Sequence, residues 1–224
     1  MADCNNSIRK TFKEMLDAEN FQTDKTGVKC LEIINASFIV TEPTLFGQVN
    51  EYADRELAWY KSLSLFVDDI PAPVPEIWKA VSDSNGMINS NYGWCIWSAE
   101  NNLQYYNCLK TLKSDVNSRR ACMIYIRPSM QVEYNQNGMS DFMCTFSTQA
   151  MIRNNELHYI VYMRSNDAIL GFKNDCHWHK MIHADLHRDL LSTYPTLKLG
   201  DMHWVAGSLH VYERHFKLVE EFDE

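Results

Sequence analysis

The feature that constrains the fold most is a pair of apolar, β-branched runs, residues 142–152 and 157–164, joined by the polar turn RNNE. Two such runs with so short a connection predict adjacent antiparallel strands. The second run ends in RSND (residues 164–167), which places a guanidinium, a hydroxyl, an amide and a carboxylate together. Polar groups at the end of a buried strand are costly unless they are paired or used. The hairpin therefore predicts a sheet with a polar site at one end.

The rest of the chain mixes helical and strand patterns without regular alternation. The predicted helices are 6–19, 47–66, 76–82, 99–113 and 174–193, and further strands are predicted at 30–41, 121–127 and 202–212. SDSNGMINSNYGW, residues 82–94, is predicted to be a loop. Gly207 suggests a bulge within the last strand. This order predicts an α+β fold with a mostly antiparallel or mixed sheet, in one domain spanning residues 1–224.

Composition narrows the class of protein. The net charge of −8 argues against broad nucleic-acid binding, although a few local arginines could still hold a small anion. No apolar run approaches the ~20 residues of a membrane span. Seven cysteines without a CxxC pair fit reduced thiols and make a zinc ribbon improbable. We therefore expect a soluble cytoplasmic protein.

Cys144 is a candidate nucleophile, because a thiolate adds readily to an electron-poor carbon. A nearby arginine is expected to lower the pKa of its thiol. The alternative is a buried core cysteine, which is the commoner case for any one of seven.

Several other side chains have both a binding and a structural interpretation. Arg119, Arg120, Arg127 and Arg164 could hold a phosphate through paired hydrogen bonds, or could be solvated surface charges. His179, His183 and His187 share one helix face, but no acidic partner stands at a suitable spacing, so we predict no metal.

Cys144 and these four arginines fall within eight motifs that are collinear with a known family. The motifs are DKTGVK, RELAWYKS, INSNYGWCIWS, SRR, RPSMQ, MSDFMCT, RSND with GFKND, and GSLHVYERH. Together they resemble the thymidylate synthase superfamily over nearly the whole chain, and within it the phage enzymes that hydroxymethylate deoxycytidylate. The resemblance implies a twisted mixed or antiparallel sheet flanked by helices, a homodimer formed through the sheet, and 5,10-methylenetetrahydrofolate as co-substrate.

The resemblance also implies roles for named residues. Cys144 would add to C6 of the pyrimidine and Glu56 would organise water, while Gln149 keeps the family's glutamine near the substrate. Lys25, Arg164 and Ser165 would hold the 5′-phosphate, and Arg119 and Arg120 would be donated across the dimer interface. His210 and Tyr212 would bind the deoxyribose 3′-hydroxyl, Asp167 the pterin, and Trp78 and Tyr92 would line the cavity for folate and nucleotide.

Asp175 stands where thymidylate synthases have asparagine. A carboxyl can accept from the cytosine amino group and share a proton with N3, so Asp175 would select cytosine over uracil. The resemblance therefore implies a dCMP 5-hydroxymethylase acting in a bacterial cytoplasm, the infected host's if the chain is phage-encoded. The alternatives are a hydroxymethylase of dUMP or CMP, a dCMP methyltransferase, and a non-catalytic nucleotide-binding protein of the same fold.

Overall fold

A computed structural model describes residues 3–24 and 27–222 of the 224-residue chain. The α-helices in these ranges are α1 (Asn5–Asp17), α2 (Tyr52–Ser62), α3 (Glu76–Val81), α4 (Tyr92–Trp97), α5 (Gln104–Ser114), α6 (Met130–Glu133), α7 (Gly171–Leu190) and α8 (Phe216–Glu220). The strands are β1 (Gln22–Thr23), β2 (Lys29–Ile39), β3 (Cys122–Ile124), β4 (Thr145–Arg153), β5 (Glu156–Asp167) and β6 (Lys198–Tyr212).

The strands form one six-stranded sheet in the order β1-β2-β6-β5-β4-β3. β5 and β6 are parallel and all other neighbours are antiparallel, so the predicted α+β fold with a mixed sheet is confirmed. The predicted hairpin is β4–β5. Its turn residues Asn154 and Asn155 have φ of 52° and 62°, the left-handed conformation that suits the twist of a two-residue hairpin turn.

Several element boundaries differ from prediction. The helix predicted over 99–113 begins only at Gln104, the strand predicted over 121–127 ends at Ile124, and the strand predicted over 202–212 begins at Lys198. The helix predicted over 47–66 extends only from Tyr52 to Ser62, and Leu63 terminates it in the left-handed conformation with φ of 60°. The loop predicted over 82–94 ends early because α4 begins at Tyr92. The Asn91 side chain accepts a hydrogen bond from the backbone N–H of Trp94 at 2.8 Å, which caps this short helix.

The bulge predicted at Gly207 is wrong. Met163 pairs with Ala206 and Ser165 with Ser208, so the register is unbroken there. A Cβ at Gly207 would lie 2.9 Å from the carbonyl oxygen of Arg164, so glycine is needed for close approach of the strands. The register of β5 against β6 shifts elsewhere, between Leu157 and Tyr159.

The main core lies between one face of the sheet and α7. Phe172, Trp178, Ile182 and Leu186 project from α7 and are at most 1% exposed. Phe172 packs edge-on against Trp204 of β6, with ring centroids 5.0 Å apart. Within the described residues, no helix has the length and apolar character needed to cross a membrane.

Helices α2 and α4 touch through their backbones. A Cβ at Gly93 would lie 1.9 Å from the carbonyl oxygen of Tyr60, a distance that no side chain could occupy. The contact lets the rings of Tyr60 and Tyr92 stack with centroids 5.0 Å apart. These two rings form an aromatic wall of the cavity described next.

Candidate active site

A cavity of about 1360 Å³ opens where α2, α3, the start of α7 and the ends of β5 and β6 meet. The predicted site residues that line it are Glu56, Trp78, Tyr92, Cys144, Arg164, Asp167, Asp175 and Tyr212. They come from seven separate parts of the chain, so the fold brings together most of the residues predicted for the site.

Cys144 directly precedes β4, and its thiol faces Arg164 of the neighbouring strand. Arg164 Nη2 lies 3.9 Å from Cys144 Sγ. Burial raises the pKa of this thiol to about 12, and although Arg164 acts to lower it, burial dominates. The expectation of a lowered thiol pKa is therefore wrong for the free protein: nearby Asp175 and Asp141 add negative charge, and the thiol is protonated at rest.

Arg164 is held in place by the loop before Cys144. Its Nε donates to the carbonyl oxygen of Met143 at 3.0 Å, and its Nη2 donates to that of Phe142 at 2.6 Å. The guanidinium also lies over the Phe142 ring, 5.0 Å from the centroid. These contacts already fix the guanidinium, so binding an anion in the cavity would cost little further side-chain entropy.

Asp175 lies in the first turns of α7 and is 9% exposed. The Tyr92 hydroxyl donates to its Oδ1 at 3.1 Å, and Asn166 Nδ2 donates to its Oδ2 at 2.7 Å. Burial raises the pKa of Asp175 to about 7 in spite of these two donors. Gly171 leaves room for the pair, since a Cβ there would lie 3.2 Å from Asn166 Nδ2. The carboxyl is thus fixed in orientation and can gain or lose a proton near neutral pH.

Glu56 is 5% exposed on the inner face of α2. Tyr52, one turn earlier, donates its hydroxyl to Glu56 Oε1 at 2.9 Å, and Trp78 Nε1 in turn donates to the Tyr52 hydroxyl. Burial, followed by the charge of Asp175, raises the pKa of Glu56 to about 8. The cavity therefore contains two carboxyl groups that are each poised to exchange a proton near neutral pH.

Asp167 ends β5 and is held by the turn that leads into α7. Its Oδ1 accepts the backbone N–H groups of Ile169 at 2.7 Å and Leu170 at 2.9 Å. Its Oδ2 lies 3.6 Å from Arg214 Nη2 at the cavity rim. The turn fixes the carboxylate, which keeps acceptor capacity for a ligand.

His210 and Tyr212 share one face of β6, and their ring centroids are 5.0 Å apart. Tyr212 lines the cavity, whereas His210 lies behind it beside Ser208, whose hydroxyl is 3.3 Å from Nδ1. Desolvation lowers the pKa of His210, so its ring is neutral at neutral pH. Ser165 pairs with Ser208 in the sheet and is not part of the cavity lining.

Three predicted substrate ligands lie away from the cavity of their own chain. Arg119 and Arg120 are exposed in the turn before β3. Gln149 of β4 donates to the carbonyl oxygen of Arg119 at 2.8 Å, so the amide and this turn are linked. Lys25, the remaining predicted phosphate ligand, lies outside the described residues.

The histidines of α7 make contacts that account for them as packing groups. His183 Nε2 lies 2.7 Å from the carbonyl oxygen of Leu157, and His187 Nε2 lies 2.9 Å from that of Leu197. His179 is fully buried, and desolvation lowers its pKa to about 3.

Sequence analysis assigned no role to Tyr52 or to Asn166 individually. Tyr52 could have been found, because it stands four residues before Glu56 on one helix face. Asn166 could not have been found in this way. The buried residues of β5 are odd-numbered from Leu157 onward, so simple alternation predicts that residue 165, and not 166, points inward.

The sequence model of the family described as thymidylate synthase matches residues 9–222. This chain belongs to the thymidylate synthase family. Members of the family use methylenetetrahydrofolate as a co-substrate.

Individual relatives divide into two levels of identity. The deoxycytidylate 5-hydroxymethyltransferases of Enterobacteria phages T6 and T4 are each 53% identical over 218 residues, which cover 96% of this chain and 89% of the phage protein. A thymidylate synthase of Buchnera aphidicola is 27% identical over 228 residues, covering 95% of this chain and 81% of that enzyme. Within the thymidylate synthase family, the chain is therefore much more similar to these two hydroxymethyltransferases than to that synthase.

Proposed function

We propose that this chain is a dCMP 5-hydroxymethylase, which converts dCMP, 5,10-methylenetetrahydrofolate and water to 5-hydroxymethyl-dCMP and tetrahydrofolate. The observation that carries the proposal is the buried Asp175 carboxyl, oriented by Tyr92 and Asn166 in the cavity that also holds Cys144. The 53% identity to phage enzymes named for this reaction supports it, and those organisms support action in the cytoplasm of an infected bacterium.

The cavity suits a nucleotide and a folate together. Its volume of about 1360 Å³ exceeds the ~300–1,000 Å³ of a typical small-molecule pocket. Trp78 offers an aromatic face, and the turn-held Asp167 offers an acceptor for the N–H groups of a pterin. The bound folate would supply a one-carbon unit at the oxidation level of formaldehyde.

The nucleotide would be held at its two polar ends. Arg164 binds the 5′-phosphate through charge-assisted hydrogen bonds, aided by Ser165 and by Lys25. His210 and Tyr212 together bind the deoxyribose 3′-hydroxyl. These contacts would place C6 of the base over the Cys144 sulfur, which is the positioning that a bimolecular addition requires.

Asp175 reads the base and assists the addition. Its carboxyl accepts from the cytosine amino group and passes its proton to N3 as the Cys144 sulfur bonds to C6. The thiol proton leaves to solvent in the same step, so the adduct gains no net charge. Arg164, 3.9 Å from the sulfur, stabilises the thiolate that forms transiently.

Addition at C6 makes C5 nucleophilic, and C5 would bond to the one-carbon unit of the folate. Loss of the C5 proton and cleavage of the bond between that carbon and the folate nitrogen would release tetrahydrofolate and leave an exocyclic methylene group on C5. Water must finally add to the exocyclic methylene group, after which the sulfur leaves C6. Glu56 would hold this water, because its carboxyl is buried beside the cavity and is oriented by the hydroxyl of Tyr52. A water placed in this way would capture the methylene that thymidylate synthases reduce.

Release of tritium from C5 tests this function directly. Incubated with methylenetetrahydrofolate, the protein should release tritium from [5-³H]dCMP far faster than from [5-³H]dUMP or [5-³H]CMP. The product should be heavier than dCMP by a hydroxymethyl group in place of the hydrogen. Faster release from dUMP or CMP would reassign the substrate, a methylated product would identify a methyltransferase, and no release from any would indicate a binding protein.

We also propose that the active form is a homodimer joined through the outer face of the sheet, the face turned away from α7. Large apolar side chains are exposed at the strands, including Ile34 at 70%, Ile124 at 55% and Phe146 at 52%. Arg119 and Arg120 lie outside the cavity of their own chain, which is consistent with donation to the phosphate site of a partner.

Mixing two inactive variants tests the shared site. Cys144→Ser and Arg120→Ala should each be inactive alone, because each homodimer lacks the same group in both sites. In a mixed dimer, one site keeps its own Cys144 and receives Arg120 from the other chain, so tritium release should return. Failure of the mixture to regain activity, with mixed dimers detected by mass, would exclude donation of Arg120 across the interface.

A further inference from the structure

Among the described residues, four cationic side chains line the cavity, and two of them have no counter-ion. The four are Arg55, Arg164, Lys173 and Arg214. Arg214 lies 3.6 Å from the Asp167 carboxylate, and Arg164 is assigned above to the nucleotide phosphate. Arg55 and Lys173 form no ion pair with any described residue. The reaction proposed above leaves both of these charges unused.

Lys173 is the more buried of the two cations. It lies in the first turn of α7 and is 9% exposed. Its Nζ donates to the backbone carbonyl oxygen of Gln48 at a long 3.3 Å, and this is its one hydrogen bond within the described residues. Burial lowers the pKa of the ammonium group, and the charge of Asp167 offsets this only in part. An ammonium group held out of water beside one neutral acceptor is costly, and a bound anion would remove much of that cost.

Arg55 lies at the same end of the cavity. Its guanidinium packs over the ring of Tyr52, the first residue of α2, at 5.6 Å from the centroid. Lys173 Nζ contacts the backbone at Gln48, shortly before that helix begins. The Nε of Arg55 is buried and has no hydrogen-bond partner among the described residues. Both cations therefore meet the cavity where α2 starts, and one guanidinium donor is still unused.

An unpaired acceptor lies next to Lys173 on α7. Asn174 lines the cavity, and its Oδ1 is buried without a hydrogen-bond partner in the described part of the chain. An acylated amino acid presents an amide N–H beside a carboxylate, so it can satisfy an acceptor and a cation together. The glutamate that ends a folate is a group of this kind.

Resting on the proposed function, we propose that Lys173 and Arg55 bind the carboxylates of the glutamate tail of the folate co-substrate. The single phosphate of the nucleotide is placed at Arg164, beside Cys144, so the folate is the other anionic ligand of the cavity. The two cations set a preference for folates that carry this tail. Because the tail is remote from the reacting carbon, the contact acts on binding and not on the chemical steps.

A folate analogue without glutamate tests the assignment. Calorimetry at saturating dCMP compares tetrahydrofolate with tetrahydropteroyl methylamide, in which a neutral methylamide replaces the glutamate. The native chain should bind tetrahydrofolate at least ~10-fold more tightly, because charge-assisted hydrogen bonds are lost with the tail. Lys173→Met should lose at least ~10-fold in affinity for tetrahydrofolate and less than ~2-fold for the methylamide. Arg55→Leu should act in the same direction.

Two further variants serve as controls. Lys180→Met removes an exposed lysine of the same helix that does not line the cavity, and it should bind both ligands as the native chain does. Lys173→Arg keeps the positive charge and should keep the preference for tetrahydrofolate. Circular dichroism of each variant separates a lost contact from a lost fold.

Three results would overturn the assignment. They are equal affinity of the native chain for the two ligands, an equal loss for both ligands in Lys173→Met, and a loss in Lys173→Met that falls on dCMP in place of tetrahydrofolate. Binding requires no turnover, so tritium release from dCMP is a separate readout on the same samples. A native chain that prefers tetrahydrofolate but releases no tritium would refute the proposed reaction and leave the assignment of Lys173 standing.

Discussion

Replacing Cys144 with serine should lower kcat/KM for dCMP by at least ~10⁴-fold, because the covalent bond to C6 is what makes C5 nucleophilic. A serine hydroxyl is a much weaker nucleophile than a thiolate toward an electron-poor carbon. Binding of dCMP should remain, because Arg164 is fixed by the carbonyl oxygens of Met143 and Phe142 and not by the sulfur alone. Tritium release and equilibrium binding of dCMP are the two measurements.

Cys122→Ser is the matched control, since Cys122 is an exposed cysteine of β3 outside the cavity and should keep full activity. A direct readout is the mass of the protein after incubation with 5-fluoro-dCMP and methylenetetrahydrofolate. The C5 fluorine cannot leave as a proton does, so the native chain should retain a covalent adduct and Cys144→Ser should not. An adduct on Cys144→Ser, or full activity of that variant, would exclude Cys144 as the nucleophile.

Replacing Asp175 with asparagine should lower the ratio of kcat/KM for dCMP over dUMP by at least ~100-fold. An amide can donate to O4 of uracil, but it cannot pass a proton to N3 of cytosine. In the native chain, Tyr92 and Asn166 both donate hydrogen bonds to the Asp175 carboxyl. In the variant, one of these two donors would face the amide nitrogen and would have to shift. An unchanged substrate ratio would mean that another residue selects the base.

The same substitution should change the pH dependence. The pKa of Asp175 is raised to about 7 by burial, so the carboxyl carries its proton below that pH and loses it above. Because the protonated form assists the addition, kcat/KM for dCMP should fall as pH rises through about 7. This alkaline fall should be absent for dUMP in Asp175→Asn. It should persist in the control Asp185→Asn, a carboxylate on the same helix that is paired with Arg188 at 2.5 Å.

The sequence predicted correctly those parts of the fold and site that depend on residues close together in the chain. The β4–β5 hairpin follows from two β-branched runs and an asparagine turn, and the juxtaposition of Cys144 with Arg164 follows from that hairpin. The family motifs then predicted eight of the residues that line the cavity, including Glu56 and Asp175.

The pKa values of the site residues could not be predicted from the sequence in the same way. The thiol pKa of Cys144 depends on burial, which residues distant in sequence create, so an adjacent arginine alone gave the wrong sign. Asn166 was likewise hidden, because only the tertiary position of Asp175 gives its amide a partner. Roles that need a second chain, such as that of Arg120, depend on contacts that no single chain contains.

The backbone contact between Gly93 and Tyr60 has a consequence for how such a cavity can diversify. Any side chain at position 93 would force α4 away from α2 and would separate Tyr92 from both Tyr60 and Asp175. A change of substrate base therefore has to arise by exchange of side chains within a fixed aromatic frame. The opposite rim of the cavity is not constrained in this way: Ile77 lines it and is 62% exposed, so a larger or smaller side chain there would reshape the cavity without moving α2 or α4.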